Sequence, residues 1–459
     1  QKHSADLRGP STSVLSQKYW HSGRKTSIVA GASPIALRAK TAAAHSLCHR
    51  AFITPSKSMN RQHSVHKSWA LHDRAVEVIP LATQTHSKAP REELRDVEPC
   101  YLARGQGCRV FDVDGNEYID FRNALGPITL GYRFPDVDQA VRRQLDSGIV
   151  FSYSHPLEVE VAERLVEVIP CAESVRFLKT GGEAMAATHR LARAFTGRDH
   201  LLTCGYHGWL NTMSRPGVPE AMRSLYSELP WGNPAPFAEA FECQPDGIAA
   251  VSVACSYARM DQGQEFLSAL RALTERYGAL LIFDEIVTGF RLRRGGAQEY
   301  FGVIPDLAVF AKGISNGMPL SCYLGRGDIM QRVEDVVISS TFGGDTLSLA
   351  AAAATIDVYE REDVVGVLWS RGRQLHEGFA VLCERFGAPA RFEGVAPLGQ
   401  LCFDPPELFL RFNAEVLRRG VIPYQICYPN FSHAEADIDE ALEAMSGALA
   451  AMREDGLFE

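Results

Sequence analysis

The sequence predicts an α/β protein: a large domain on a mainly parallel sheet, followed by a smaller α+β unit. Three observations carry this. The apolar runs 279–283 and 307–310 read as buried strands, and they lead into Asp284 and Lys312. Residues 175–178 read as a strand, 179–182 as a tight loop and 183–195 as a helix, with Ala184, Ala187, Leu191 and Ala194 at helical spacing and Gly197 as its stop. From about 121 to 325, strand-like and helix-like segments alternate, as a parallel sheet with covering helices requires.

Taken in order, residues 1–58 form a separate object. They hold nine Lys or Arg against the single acid Asp6, a local charge of +8 in a chain of net −8, which leaves −16 for the remainder. The stretch lacks periodicity and precedes the first methionine, Met59, so it reads as non-native upstream sequence, with an organelle transit peptide as the alternative. Residues 59–120 form an N-terminal segment with a helix over 68–79 and a hairpin around Asp114 and Gly115, a turn dipeptide between apolar runs. Residues 121–325 make the large domain. Residues 326–459 make the small one: a loop, an alanine-rich helix near 346–360, a helix near 363–385, and an α+β unit closing with a helix over 437–452.

Composition agrees. A chain of 459 residues is too long for one core, and 46% hydrophobic with 22% charged residues is ordinary for a globular protein. No apolar run approaches a membrane span, and the acidic folded part argues against nucleic acid or anionic membrane as partners. The eleven cysteines are scattered without Cys-x-x-Cys pairing, so they read as buried thiols in a reducing compartment, with cytoplasm as the expected location. His45, Cys48 and His49, and the pair His63 and His66, have metal-like spacing but sit in or beside the unpatterned stretch, so no metal site is expected.

The chemistry concentrates at the strand ends. An amine at the carboxyl end of a buried strand loses its proton more readily than in water and can form a Schiff base with an aldehyde cofactor. A neighbouring carboxylate stabilises a protonated ring nitrogen. Lys312 and Asp284 meet these two demands of pyridoxal phosphate, although either alone reads equally as a solvated strand end or the start of a helix. Gly181 and Gly182, at a helix start, let backbone N–H groups approach a phosphate. Tyr206, between Gly205 and Gly208, is placed to lie flat on a ring or to pack beneath a turn.

Several segments then carry a family likeness: 112–120 (DVDGNEYID), 205–208 (GYHG), 283–291 (FDEIVTGFR), 311–313 (AKG) and 341–344 (TFGG). The chain resembles the class III aminotransferases from about Met59 onward. Within them it is most similar to the glutamate-1-semialdehyde aminomutase group, and to its sugar-aminotransferase-like branch through 295–302 (GGAQEYFG) and 346–351 (TLSLAA). The resemblance implies a fold-type I homodimer that shares its active site between subunits. It implies Lys312 bonded to pyridoxal phosphate, Asp284 on the pyridine nitrogen, and His207 beside the ring. Tyr206 would stack on one ring face and Val287, or its neighbour Ile286, on the other. Thr180, Gly181 and Gly182 would hold the phosphate, with Thr341 reaching it from the partner subunit.

Three positions depart from the family pattern. Gly182 stands where a Ser or Thr is usual, Ala254 and Cys255 replace a usual Glu-Pro, and Arg122 occupies a commonly apolar position near the substrate entry. Arg122 is expected either to clamp a carboxylate or to form a surface salt bridge. The leading expectation is an aminotransferase, with glutamate as donor and a keto sugar, cyclic ketone or cyclic keto acid as acceptor. An aminomutase is the first alternative, against which Leu125 counts because it replaces a usual tryptophan. A cofactor-binding homologue with lost turnover is the second.

Overall fold

The computed structural model describes residues 63–458. The basic leader, with His45, Cys48 and His49, lies outside the described residues.

The centre is a seven-stranded sheet in the order β4-β10-β9-β8-β7-β5-β6, built from β4 (Ser174–Leu178), β5 (His200–Cys204), β6 (Tyr226–Glu228), β7 (Ile248–Ala254), β8 (Leu280–Asp284), β9 (Leu307–Phe310) and β10 (Ser321–Gly325). Only β10 runs antiparallel to its neighbours. Strands β8, β9 and β10 are buried along their whole length, and for β8 and β9 this is why the sequence reads as continuous apolar runs rather than alternating ones. The two-residue period decides which side each residue serves. Leu281, Phe283, Ala308 and Phe310 join one apolar cluster, while Leu280, Ile282, Leu307 and Val309 join another under the helix Gly181–Thr196. The alanine-rich helix Thr346–Arg361 packs in the same cluster as Phe283 and Phe310, since its small side chains let it lie close to its neighbours.

A second sheet orders β1 (Leu102–Gln106), β2 (Arg109–Asp112), β3 (Glu117–Asp120) and β13 (Val421–Ile422), so the N-terminal hairpin pairs with a strand from near the other end of the chain. Its turn forms because the Asp112 carboxylate accepts the backbone N–H groups of Asp114 and Asn116, while Gly115 takes φ of 95°. A third sheet, β11 (Ala390–Glu393), β12 (Gly399–Phe403) and β14 (Ile426–Cys427), lies beside the helices Val364–Phe386, Leu408–Arg418 and Glu435–Glu454, which share a third apolar cluster.

The first helix spans His66–Ala75, not 68–79. It begins earlier because the Asp114 carboxylate accepts the backbone N–H groups of Lys67 and Ser68, each at 2.8 Å. That cap comes from 46 residues away, so no local pattern announces it. Among the described residues no helix is long and apolar enough to cross a membrane, and no group of three or more His, Cys, Asp or Glu is arranged to hold a metal.

Candidate active site

Strands β4, β5, β7, β8 and β9 are mutually parallel, so their carboxyl ends open on one side of the sheet, where open α/β sheets form their crevice. Asp284 ends β8, opposite Ala254 on β7 and Val309 on β9. Lys312 follows β9 by two residues and opens a short turn, Lys312–Ser315, with φ of 49°. A left-handed backbone is costly for a residue with a side chain, and such strain concentrates at functional positions. Lys312 is largely buried and makes no hydrogen bond or ion pair among the described residues. Burial draws its amine down to about 8, with Asp284 opposing and the charge of Arg291 adding to the fall.

Asp284 is 8% exposed. Its Oδ1 accepts the backbone N–H of Ile286 at 3.1 Å, and its Oδ2 lies 3.0 Å from Nδ1 of His207. The other nitrogen of His207 faces the carbonyl of Ser252 at 3.2 Å. Behind it, His189 contacts the Ser252 hydroxyl at 3.1 Å through Nε2, and burial pushes this imidazole well below its ordinary range.

The phosphate-cup candidate takes the expected form of strand, loop and helix. Thr180 is the helix N-cap: its hydroxyl accepts the N–H of Glu183 at 3.4 Å, and the Glu183 carboxylate accepts the N–H of Lys179 at 3.1 Å. Lys179 is paired with Asp345 at the start of the alanine-rich helix, which ties the loop to the large core. The glycines are required by close approach. A Cβ on Gly208 would lie 2.7 Å from Cα of Gly182, and one on Gly181 would lie 2.4 Å from Cδ1 of Ile286. Asn211 joins the two loops, donating to the carbonyls of Gly182 at 3.0 Å and His207 at 2.8 Å.

Tyr206 lies between Gly205 and Gly208, both at φ of 85°, and its ring is 70% exposed. Val287 is half-buried against the main cluster, whereas Ile286 packs with the cluster beneath the helix and against Gly181. Thr341 is exposed on the loop before the alanine-rich helix, with no hydrogen bond among the described residues. Among the described residues Arg122 makes no salt bridge, and its guanidinium sits 4.9 Å from the centre of the Tyr424 ring. Ala254 and Cys255 leave no carboxylate at the end of β7, and burial among acids raises the Cys255 thiol well above its ordinary value.

Sequence reasoning missed His189, Ser252 and Asn211, and also Arg291, which is fully buried and donates to the carbonyls of Gly126 at 3.0 Å and Pro429 at 2.9 Å. A polar residue inside an apolar run or helix face was the available signal, but only the fold shows what each one meets.

The residues fit pyridoxal phosphate: an amine without a hydrogen-bond partner among the described residues, a buried carboxylate beside it, a glycine cradle at a helix start and an exposed aromatic side chain. The family model for class III aminotransferases matches residues 92–449. A glutamate-1-semialdehyde 2,1-aminomutase of Sorangium cellulosum (strain So ce56) is 35% identical over 429 residues, covering 84% of this chain and 96% of that protein. A 3-aminobutyryl-CoA aminotransferase of Cloacimonas acidaminovorans (strain Evry) is 32% identical over 406 residues, covering 84% and 97%. Among solved structures, the internal aldimine form of FumI from Sphingopyxis sp. MTA144 superposes with a TM-score of 0.79 at 27% identity, covering 85% of this chain and 98% of that one.

Proposed function

The chain belongs to the class III aminotransferases, and on that premise we propose that it moves an amino group from an amino acid, with glutamate as the first donor to test, to a keto-sugar, cyclic ketone or keto-acid acceptor in a biosynthetic pathway. Pyridoxal phosphate is its cofactor. The observation that carries the reading is the Lys312 amine, drawn down to about 8 beside Asp284 at the ends of adjacent strands.

When bound, the cofactor supplies an aldehyde that captures an amine and a ring that takes up the electron pair left when a Cα–H bond breaks. Lys312 presents a neutral amine in a useful fraction just above neutral pH, so Nζ would hold the aldehyde of the cofactor. The same Nζ would take the proton from the substrate Cα and return it at the other end of the transfer, which is general acid and base work. Asp284, held by His207 and the N–H of Ile286, would face the ring nitrogen and favour its protonated form. Gly181 and Gly182, in the first helical turn where N–H groups lack helical partners, would hold the phosphate together with Thr180. Tyr206 and Val287 would pack against the ring.

Thr341 serves the site of a partner subunit in a homodimer. The exposed apolar Phe342 next to it, and the exposed run Ile149, Val150 and Phe151, whose Ile149 carbonyl accepts the N–H of Thr346, support a protein-covered surface there.

The test is the absorbance of the purified protein with pyridoxal phosphate, before and after a panel of amino donors, alongside Lys312→Ala. A lysine-linked band that glutamate converts to the pyridoxamine form, and that is missing from the variant, supports the reading. A band that no donor discharges favours intramolecular transfer, the aminomutase reading supported by the 35% identity to the Sorangium cellulosum protein. No band at all removes Lys312 from its role.

A further inference from the structure

We propose that Arg122 reads a carboxylate on the acceptor, which makes the acceptor an oxo acid rather than a neutral ketone; this rests on the Lys312 crevice being the site of amino transfer. The loop that carries Arg122 is built for position. The three residues after it, Asn123, Ala124 and Leu125, all have left-handed backbones, with φ of 44°, 55° and 75°, and none is glycine. Such strain persists only where surroundings enforce it. Here Asn123 donates to the carbonyl of Tyr428 and accepts from Asn430 at 2.8 Å, so the loop is clamped to the 424–430 segment.

The same loop runs against the turn that bears Lys312. The hydroxyl of Thr129 donates to the carbonyl of Gly313 at 3.4 Å, the N–H of Leu130 donates to the side chain of Asn316 at 2.9 Å, and Arg291 holds the carbonyl of Gly126. The segment that carries Arg122 thus touches the backbone of the Lys312 turn through Thr129 and Leu130, and Asn123, next to Arg122, holds Tyr428, whose ring lies 5.0 Å from the guanidinium of Arg291.

Its guanidinium is unanswered. It stacks over Tyr424, and among the described residues its buried Nε has no hydrogen-bond partner and no carboxylate lies within ion-pair distance. The neighbouring acids are engaged elsewhere: Asp120 accepts the backbone N–H of Arg122 at 2.8 Å and the hydroxyl of Tyr132 at 2.7 Å, and Glu98 accepts the N–H of Arg91 at 2.8 Å. Arg291, the other guanidinium here, is fully buried with both terminal nitrogens on carbonyls, so it differs from Arg122 in having no terminal nitrogen left to offer a ligand, although Nε lacks a partner in both. A guanidinium fixed against an aromatic face, with a buried donor left over, matches the planar two-point geometry of a carboxylate.

The experiment loads the apo-protein with pyridoxamine phosphate, which removes any dependence on the donor. It then follows the return of the pyridoxal form with levulinate or oxocyclohexanecarboxylate, each against its methyl ester, in wild type, Arg122→Lys and Arg122→Met. Wild type is expected to prefer the acids, and Arg122→Met to lose about ten- to a hundredfold in kcat/KM for the acids, mostly in KM, with the esters unchanged. In parallel, calorimetry should show benzoate binding to the loaded wild type and lost in Arg122→Met, with benzamide indifferent to the change. Arg122→Lys, which keeps the charge without the fork, should fall between and covers the case in which Arg122→Met fails to fold. Equal use of acid and ester by wild type, or equal benzoate binding by wild type and Arg122→Met, overturns the proposal. Failure of every acceptor to discharge the amine, with benzoate still bound through Arg122, would instead overturn the aminotransferase reading alone.

Discussion

Nδ1 of His207 lies 3.0 Å from a carboxylate oxygen of Asp284, and both groups are buried. The other ring nitrogen faces the carbonyl of Ser252, which can only accept. Both nitrogens thus face acceptors, which holds the ring between Asp284 and the backbone of β7. His207 is in this way a positioning residue for Asp284.

Replacing His207 by Leu leaves Asp284 with the N–H of Ile286 as its one remaining partner among the described residues. The carboxylate then loses its orientation and half of its hydrogen bonding. The expected outcome is a fall in kcat of about ten- to a hundredfold, the usual scale for removing a supporting partner. A pH titration of the bound cofactor's absorbance should move as well. Unchanged spectra across pH would show that His207 only packs.

The lowered pKa of Lys312 has a stability consequence in the apo-protein. In the unfolded chain its amine titrates near 10.5, and in the fold near 8. Between these values the unfolded chain binds more protons, so stability rises as pH climbs from 8 to 10.5, and the full cost of the buried charge is present below 8. Lys312→Met should therefore make the apo-protein more stable at neutral pH by about 1–3 kcal/mol, with the gap closing above pH 8. Denaturant melts of both proteins across that range check it; a gap that does not narrow would show that the gain comes from packing alone.

Gly182 and Gly208 answer differently to substitution although they touch. A Cβ on Gly182 would meet Cα of Gly208 at 3.5 Å, an ordinary contact, so Gly182→Ser fits and adds a hydroxyl to the phosphate cup. Its cofactor dissociation constant is expected to fall by about three- to tenfold. A Cβ on Gly208 would lie 2.7 Å from Gly182 on a backbone with φ of 85°, so Gly208→Ala should weaken cofactor binding and lower the melting temperature. Spectroscopic titration of cofactor into the two apo-proteins separates the outcomes.

The site's outline was legible because its parts sit at the ends of continuous apolar runs, where strand period and glycine spacing are local properties. Asp284 and Lys312 lie 28 residues apart in the chain, yet one ends β8 and the other follows the end of its neighbour β9. The second layer was not legible. His189 stands at a helical position that reads as core, and only the packing of its helix against β7 brings it to Ser252. The same limit applies to the first helix, whose cap arrives from Asp114, and to β3, whose parallel neighbour β13 comes from the far end of the chain. Local pattern sets what an element is; its partners follow from topology.

The small unit holds a second lesson in buried charge. Glu415 is fully buried, and its carboxylate meets Nη1 of Arg411 at 2.6 Å, of Arg418 at 2.7 Å and of Arg419 at 2.5 Å. Three guanidiniums around one acid are tolerable only while the acid is there, since Arg411 and Arg418 are themselves buried and burial already pulls Arg418 below its ordinary value. Arg411 has a second acid in Asp455, at 2.6 Å. Glu415→Ala should therefore cost about 3–5 kcal/mol, the scale for breaking a buried ion pair by removing one partner. Glu415→Gln, which keeps the shape and one acceptor oxygen but not the charge, should recover part of that loss. Urea denaturation of the two variants beside wild type measures both. If Glu415→Gln is no more stable than Glu415→Ala, the acceptor oxygen contributes nothing there and the argument from the guanidiniums fails.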